Sequence, residues 1–238
     1  MIPKIIHFCW FGGSPLPKEQ RKYIDGWKEI LPDYQIIEWN EGNFDVNSNE
    51  WTKSAYNARK FAFVADYVRM YALKKMGGIY LDTDVQVLKS FDPFLHLHSF
   101  VSFEGDENLI GTAVIGAEKN TDFLKYMLDY YDSHVFSPDL NLGEVMNTSL
   151  LQKYFVSKGV ELNNKRQSVK PDIEVFPLEY FSAKIVNRDE YHITSNTVCI
   201  HQYSMSWFKP SQRRWIKFTN KFVKPIKRLL GLLPAKYK

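Results

Sequence analysis

At 238 residues, 45% hydrophobic and 24% charged, the chain has an ordinary globular composition and enough length to bury a substantial core. No Cys/His cluster has zinc spacing, and Cys9 and Cys199 stand far apart, so a single disulfide is open only if their two strands are neighbours. The net charge of +4 is unevenly spread: ten of the 31 Lys/Arg and none of the 27 Asp/Glu follow Glu190, so an acidic body carries a basic tail, and a general nucleic-acid binder is not expected.

Lys4 to Trp10 reads as a buried first strand, β-branched and aromatic, running into a glycine- and proline-rich loop at residues 11–17. Pro17 to Ile30 is expected to be helical and Tyr34 to Trp39 to form a second strand, which together make a β-α-β unit. Ser54 is the expected N-cap of one long helix ending near Met76, stopped by Gly77-Gly78. Strands are expected at Ile79 to Asp82, Val85 to Leu88, Phe100 to Phe103 and Thr112 to Ala117, with a break at Phe91-Asp92-Pro93. Helices are expected at Asp122 to Tyr131 and within 139–158, short strands and turns over 159–190, and a late strand from Val198 to His201. The alternation predicts an α/β domain on a mixed, mainly parallel sheet, whose ligands bind at the carboxyl ends of the strands. Both thiols are expected to be buried and free. No stretch reaches the ~18 apolar residues needed to span a bilayer, and the start carries no secretory signal, so a cytoplasmic protein is expected.

The most informative segment is Ile79-Tyr80-Leu81-Asp82-Thr83-Asp84-Val85. In an extended chain residues i and i+2 point the same way, so Asp82 and Asp84 would present their oxygens to one spot. Two like charges that close repel unless a cation sits between them or one takes up a proton. Hard oxygen ligands of this kind suit Mg2+ or Mn2+, which keep open positions for phosphate oxygens. An isolated Asp-x-Asp is more often a solvated surface turn; its surroundings here favour the metal. Asp66 and Arg69, three residues apart on the long helix, share a face with Arg59. They read either as a surface ion pair or as a polar stripe turned to the acidic pair. In the second case Asp66 would bond a sugar hydroxyl, and Arg69 would offset negative charge on a donor.

His201 at the end of the late strand reads as a structural histidine, or as the ligand that completes a site begun by two carboxylates. His7 and Trp10 read as core aromatics, or as the wall of a nucleotide pocket with Trp10 stacked on the base and Gly12-Gly13 allowing close backbone approach. No Gly-Lys-Ser/Thr follows, so this is not a Walker loop. Ser206 and Trp207 would form a flap over a phosphate-bearing ligand. Glu104 and Asp106 read as solvated loop acids, with contact to an acceptor hydroxyl as the functional alternative.

Taken together these segments resemble one family. Ile2-Pro3-Lys4-Ile5-Ile6-His7-Phe8-Cys9-Trp10-Phe11-Gly12-Gly13 resembles the opening of bacterial capsular-polysaccharide sugar transferases, members of the glycosyltransferase group with a DXD-containing sugar-binding region that also includes the yeast Och1-like mannosyltransferases (glycosyltransferase family 32). Phe63 to Leu73 and Gly77 to Val85 are similar to that group's most characteristic block, and His201 with Ser206-Trp207 resembles its C-terminal element. The resemblance implies a GT-A type nucleotide-diphospho-sugar transferase fold over residues 1–208, with residues 1–95 serving nucleotide sugar and metal and 96–208 the acceptor. It implies a metal-dependent hexosyltransferase that retains anomeric configuration. By position, Asp84 would ligate Mn2+ or Mg2+ directly, Asp82 would bridge metal and ribose or act through water, and His201 would complete metal or diphosphate binding. Asp66 and Arg69 would grip the donor sugar. Apart from what the resemblance carries over, His7, Trp10, Tyr80, Thr83, Ser206 and Trp207 are the candidate residues of a nucleotide-sugar pocket. Clostridial-toxin glucosyltransferases share the Asp-x-x-Arg…Asp-x-Asp logic by analogy. A nucleotide-sugar hydrolase and a non-catalytic, membrane-bound carbohydrate-binding protein are the competing readings.

Residues 209–238 mix bases with rings and leucines. This segment reads as a C-terminal helix packed on the body, as an RNA-binding segment or, preferably, as one lying on an anionic membrane surface. The preferred reading places the protein peripherally on the inner face of the cell membrane, where a saccharide or lipid-linked acceptor would meet it.

Overall fold

The computed structural model describes residues 1–105, 109–169, 173–185, 190–204, 215 and 219. The chain opens with strand β1 (Ile5–Cys9), helix α1 (Lys18–Ile30), strand β2 (Gln35–Trp39), helices α2 (Glu50–Asn57) and α3 (Phe61–Met76), and strands β3 (Gly78–Leu81) and β4 (Val85–Val87). After a 3-10 turn at Asp92–Phe94 come β5 (Ser99–Glu104), β6 (Leu109–Ile110), β7 (Val114–Ala117), and helices α4 (Asp122–Asp132), α5 (Leu142–Val145) and α6 (Asn147–Ser157). The remainder is β8 (Gln167–Val169), β9 (Ile173–Phe176), α7 (Leu178–Phe181), β10 (Lys184–Ile185), β11 (Glu190–Tyr191) and β12 (Cys199–His201).

Eight strands form one mixed sheet in the order β2-β1-β3-β7-β5-β9-β8, with β6 on β5. The expected β-α-β unit is present: α1 connects β1 to β2, which run parallel with Ile6 opposite Ile36. β3 lies parallel to β1 on its other side. The sheet is not mainly parallel, however. β7 runs antiparallel to both β3 and β5, as do β6 to β5 and β8 to β9. β5 and β6 follow each other closely in sequence and pair with Glu104 opposite Leu109, and strands joined by so short a connection run antiparallel. The antiparallel β3–β7 pairing joins the N-terminal strands to the later ones as a continuous sheet.

The single long helix is likewise corrected. Ser54 lies inside α2, whose N-cap is Asn49; its side-chain oxygen accepts from the backbone N–H groups of Trp51 and Thr52. Arg59 then adopts φ 56° and breaks the helix before α3 begins at Phe61. Arg59 is thereby exposed and off the stripe shared by Asp66 and Arg69.

Two hydrophobic cores sandwich the sheet. One packs α2, α3, α4 and α6 against one face, with Trp51, Tyr131 and Phe155 fully buried. The other gathers Trp27 of α1, Phe91, Phe100 and Phe181 on the opposite face. Gly77 and Gly78 end α3 and start β3 at φ 68° and 114°, and a Cβ on Gly78 would stand 2.6 Å from the Ile5 carbonyl oxygen. Only glycine lets β3 approach β1 this closely. Both cysteines are free and buried. Among the described residues no helix is long and apolar enough to cross a membrane.

Candidate active site

β3 and β1 are neighbours at the centre of the sheet, and β3 ends at Leu81 where the acidic pair begins. The two carboxylates do not converge by strand alternation. The backbone N–H of Val85 donates to the Asp82 carbonyl at 3.0 Å, so residues 82–85 form a turn that swings Asp84 back beside Asp82. β12 then pairs antiparallel with β4 and sets His201 opposite Val85. One oxygen of each carboxylate and one imidazole nitrogen of His201 lie within 4.8 Å of one another. Ligands on opposite sides of one Mg2+ stand ~4.2 Å apart, so a small closure brings all three to a single ion. The donor set fits: two carboxylates suit Mg2+ or Mn2+, and the imidazole favours the softer Mn2+.

Each carboxylate has its own support. Asp84 accepts the backbone N–H of Ser204 at 2.6 Å and faces His201 Nε2 across 3.5 Å. Burial works to raise its pKa, but the His201 charge and these hydrogen bonds outweigh it and hold the group at about 2. Burial works to lower the pKa of His201, and the carboxylates of Asp84 and Glu104 overcome it, pushing it up to about 10. Without a metal the charge between these carboxylates is therefore an imidazolium. Asp82 instead belongs to a second cluster. Its Oδ1 accepts the Tyr80 hydroxyl at 2.9 Å and pairs with Arg69 at 3.3 Å.

Arg69 joins that cluster to the helix. Although buried, its guanidinium pairs with Asp66 at 3.1 Å, donates to the Thr112 carbonyl at 2.7 Å, and lies 4.4 Å above the Tyr80 ring. Burial disfavours its charge, yet the surrounding carboxylates bind it more firmly as a cation than it would be in water. Burial pushes Asp66 up to about 6 against the pull of Arg69. The stripe on α3 thus faces inward to the acidic pair. It is not a surface ion pair.

The other expected pocket residues divide. Tyr80 is buried beneath Arg69 and reaches Asp82, and Thr83 is half-buried in the turn. Trp10 stands half-buried at the end of β1, its indole N–H donating to the Ser14 carbonyl at 2.6 Å. Gly12 carries φ 98° beneath the Phe61 ring, and its N–H donates to Glu41. His7 lies in the core with no exposed surface. Its Nε2 meets the Gly77 carbonyl at 2.8 Å and its Nδ1 accepts from Trp39, so neither ring nitrogen is left for a nucleotide. Of the two readings of His7, the structure shows the core aromatic. Ser206, Trp207, Asp106, and the segment 209–238 apart from Trp215 and Thr219, lie outside the described residues.

Three residues at the site carried no motif. Tyr203 adopts φ 52° and stacks 3.9 Å from the His201 ring; Ser204 supplies the N–H to Asp84; Glu104 is largely buried and turned toward His201, not solvated. The positive φ that wedges Tyr203 against the imidazole has no sequence signal without a glycine.

Comparison with known proteins finds a family match that takes in most of this arrangement. Residues 17–101 match the glycosyltransferase sugar-binding region containing DXD motif. Asp66, Arg69, Asp82 and Asp84 all fall within the matched stretch. Among curated relatives, inositol phosphoceramide mannosyltransferase 3 of Schizosaccharomyces pombe is 33% identical over 131 residues, 52% of this chain and 35% of that protein. An uncharacterized glycosyltransferase of Acanthamoeba polyphaga mimivirus is 30% identical over 158 residues, 63% of this chain and 61% of that one. A mannosyl phosphorylinositol ceramide synthase of Saccharomyces cerevisiae is 24% identical, over 60% of this chain and 38% of its own length. The chain therefore spans between about a third and three fifths of these relatives. Among solved structures, the PaToxG glycosyltransferase superposes with a TM-score of 0.54 at 17% identity, covering 66% of this chain and 69% of that one. The fold is of the GT-A glycosyltransferase type, as the resemblance implied.

Proposed function

We propose that this protein is a divalent-metal-dependent glycosyltransferase that moves a hexose, with retention, from a nucleotide-diphosphate donor to a saccharide or lipid-linked acceptor at a membrane surface. The observation that carries the reading is the meeting of Asp82, Asp84 and His201 beside the buried Asp66–Arg69 pair. Asp82, Asp84 and His201 would hold the metal, which when bound supplies positive charge to the departing diphosphate. Arg69, fixed on four sides, adds a cation that needs no reorganisation as negative charge develops. Asp66, held on the same guanidinium, is the group for a sugar hydroxyl. No protein nucleophile is assigned: the leaving diphosphate itself can take the acceptor's proton. Two observations support this acceptor: one relative is an inositol phosphoceramide mannosyltransferase, and residues 209–238 have a basic, ring-rich composition. On this reading the protein works peripherally at a membrane, on its cytoplasmic face, and extends a lipid-linked or surface polysaccharide.

A thermal-shift screen of UDP, GDP and CMP sugars, each with Mn2+ or Mg2+, tests the donor. A matching donor at a hundred times its Kd adds ~2.7 kcal/mol, which for a domain of this size raises Tm by about 5–11 °C. A flat response to every pair removes the proposal. Product analysis with and without acceptor separates transfer from hydrolysis. For the membrane arm, the full chain is expected to float with liposomes containing anionic lipid, and a chain lacking residues 211–238 to stay in the soluble fraction. Equal soluble recovery of both ends that part.

A further inference from the structure

β5 ends at Glu104, and β12 ends at His201. Glu104 Oε2 lies 3.6 Å from His201 Nδ1, while Nε2 of the same ring faces Asp84. Both Oε2 and Nδ1 are sealed from solvent, and neither has a hydrogen-bond partner among the described residues. A buried acceptor without a donor and a buried donor without an acceptor each carry a desolvation cost of about 1–3 kcal/mol. Here the two stand a few tenths of an ångström from bonding each other.

The surroundings keep them there. Gly111 lies under the carboxylate: a Cβ at that position would come 3.1 Å from Oε2 and 3.3 Å from Glu104 Cβ, so the absent side chain leaves the space that the carboxyl group fills. Tyr203, bent into a left-handed backbone conformation, covers the other face of the imidazole. An imidazole ligates through Nε2 only when its remaining proton sits on Nδ1, and a carboxylate behind Nδ1 fixes both that tautomer and the ring's orientation.

We propose that Glu104 is a positioning residue for His201: its carboxylate holds the imidazole through Nδ1, so that the Nε2 lone pair is presented to the cation shared with Asp82 and Asp84. This rests on the metal reading given under Proposed function. Glu104 is thereby assigned to the rear of the metal site and not to the acceptor.

The test is direct titration of the purified full chain with Mn2+ alone, free Mn2+ being read by electron paramagnetic resonance, with unfolding followed in parallel. Glu104→Ala is expected to weaken Mn2+ binding about 10–100-fold. The double variant Glu104→Ala/His201→Ala is expected to bind no more weakly than His201→Ala, because Glu104 acts only through the ring. Glu104→Gln keeps an oxygen acceptor and should lose about 3–10-fold, the share due to charge. It decides the matter where Glu104→Ala does not fold. Wild-type affinity in both Glu104 variants overturns the assignment, as does a double variant weaker than His201→Ala by the full Glu104→Ala factor. If the wild-type chain and Asp84→Asn bind Mn2+ equally, the metal reading itself has failed, and the positioning role falls with it.

Discussion

Replacing Asp84 with asparagine is expected to lower kcat about 10²–10³-fold, equivalent to about 2.7–4 kcal/mol of lost transition-state stabilisation. The substitution is selective for a structural reason. Asparagine keeps an oxygen for the Ser204 backbone N–H, the bond that ties the segment after β12 to the acidic turn. The turn itself is closed by the backbone of Asp82 and Val85 and does not need the carboxylate. What is lost is the anion facing His201 and, on the proposed function, the direct metal ligand. The measurement is kcat at saturating donor and Mn2+, alongside the unfolding transition. Turnover within about threefold of wild type would show that Asp84 takes no part in charge stabilisation.

Arg69→Met is expected to cost stability as well as activity. Methionine fills much of the volume, but the change leaves Asp66 and Asp82 in a largely buried site without their cation, and it strips the Thr112 carbonyl of its donor. Removing one partner of such a network costs about 3–5 kcal/mol, or a fall in Tm of about 6–20 °C for a chain of this length. Arg69→Lys should fall between the two, because an ammonium on a flexible stem cannot bond Thr112, Asp66 and Asp82 while lying flat on Tyr80. Denaturant midpoints of the three proteins check this. A methionine variant as stable as wild type would mean that the carboxylates release their charge into solvent at no cost, contrary to the buried geometry.

Much of this site was legible because its signals are local. The strand before Asp82, the glycine pair that allows it to approach β1, and the three-residue spacing of Asp66 and Arg69 all lie within one stretch of the chain. His201 could be picked out because it ends an apolar run. The misreadings share a different cause. The break at Arg59 needs a left-handed backbone that no glycine announces, so two helices read as one. β6 returns antiparallel on β5, and the apolar pattern alone does not distinguish a return from a crossover. His7 could be read as a core aromatic or as a pocket wall, because its buried bonds to Gly77 and Trp39 depend on partners 70 and 32 residues away. Glu104 became a site residue only through such a distant partner, His201. Periodicity reads neighbours along an element and is blind to what the sheet brings beside it.

The ladder of β12 on β4 has a consequence for synthesis. Asp84 and Ser204 are 120 residues apart in sequence, and their bond closes a loop comprising half the chain. Contacts of such separation form late in folding. Over the stretch of synthesis between Asp84 and His201, about half of the 238 residues, a nascent polypeptide thus holds its paired acids without the imidazole that stands beside them.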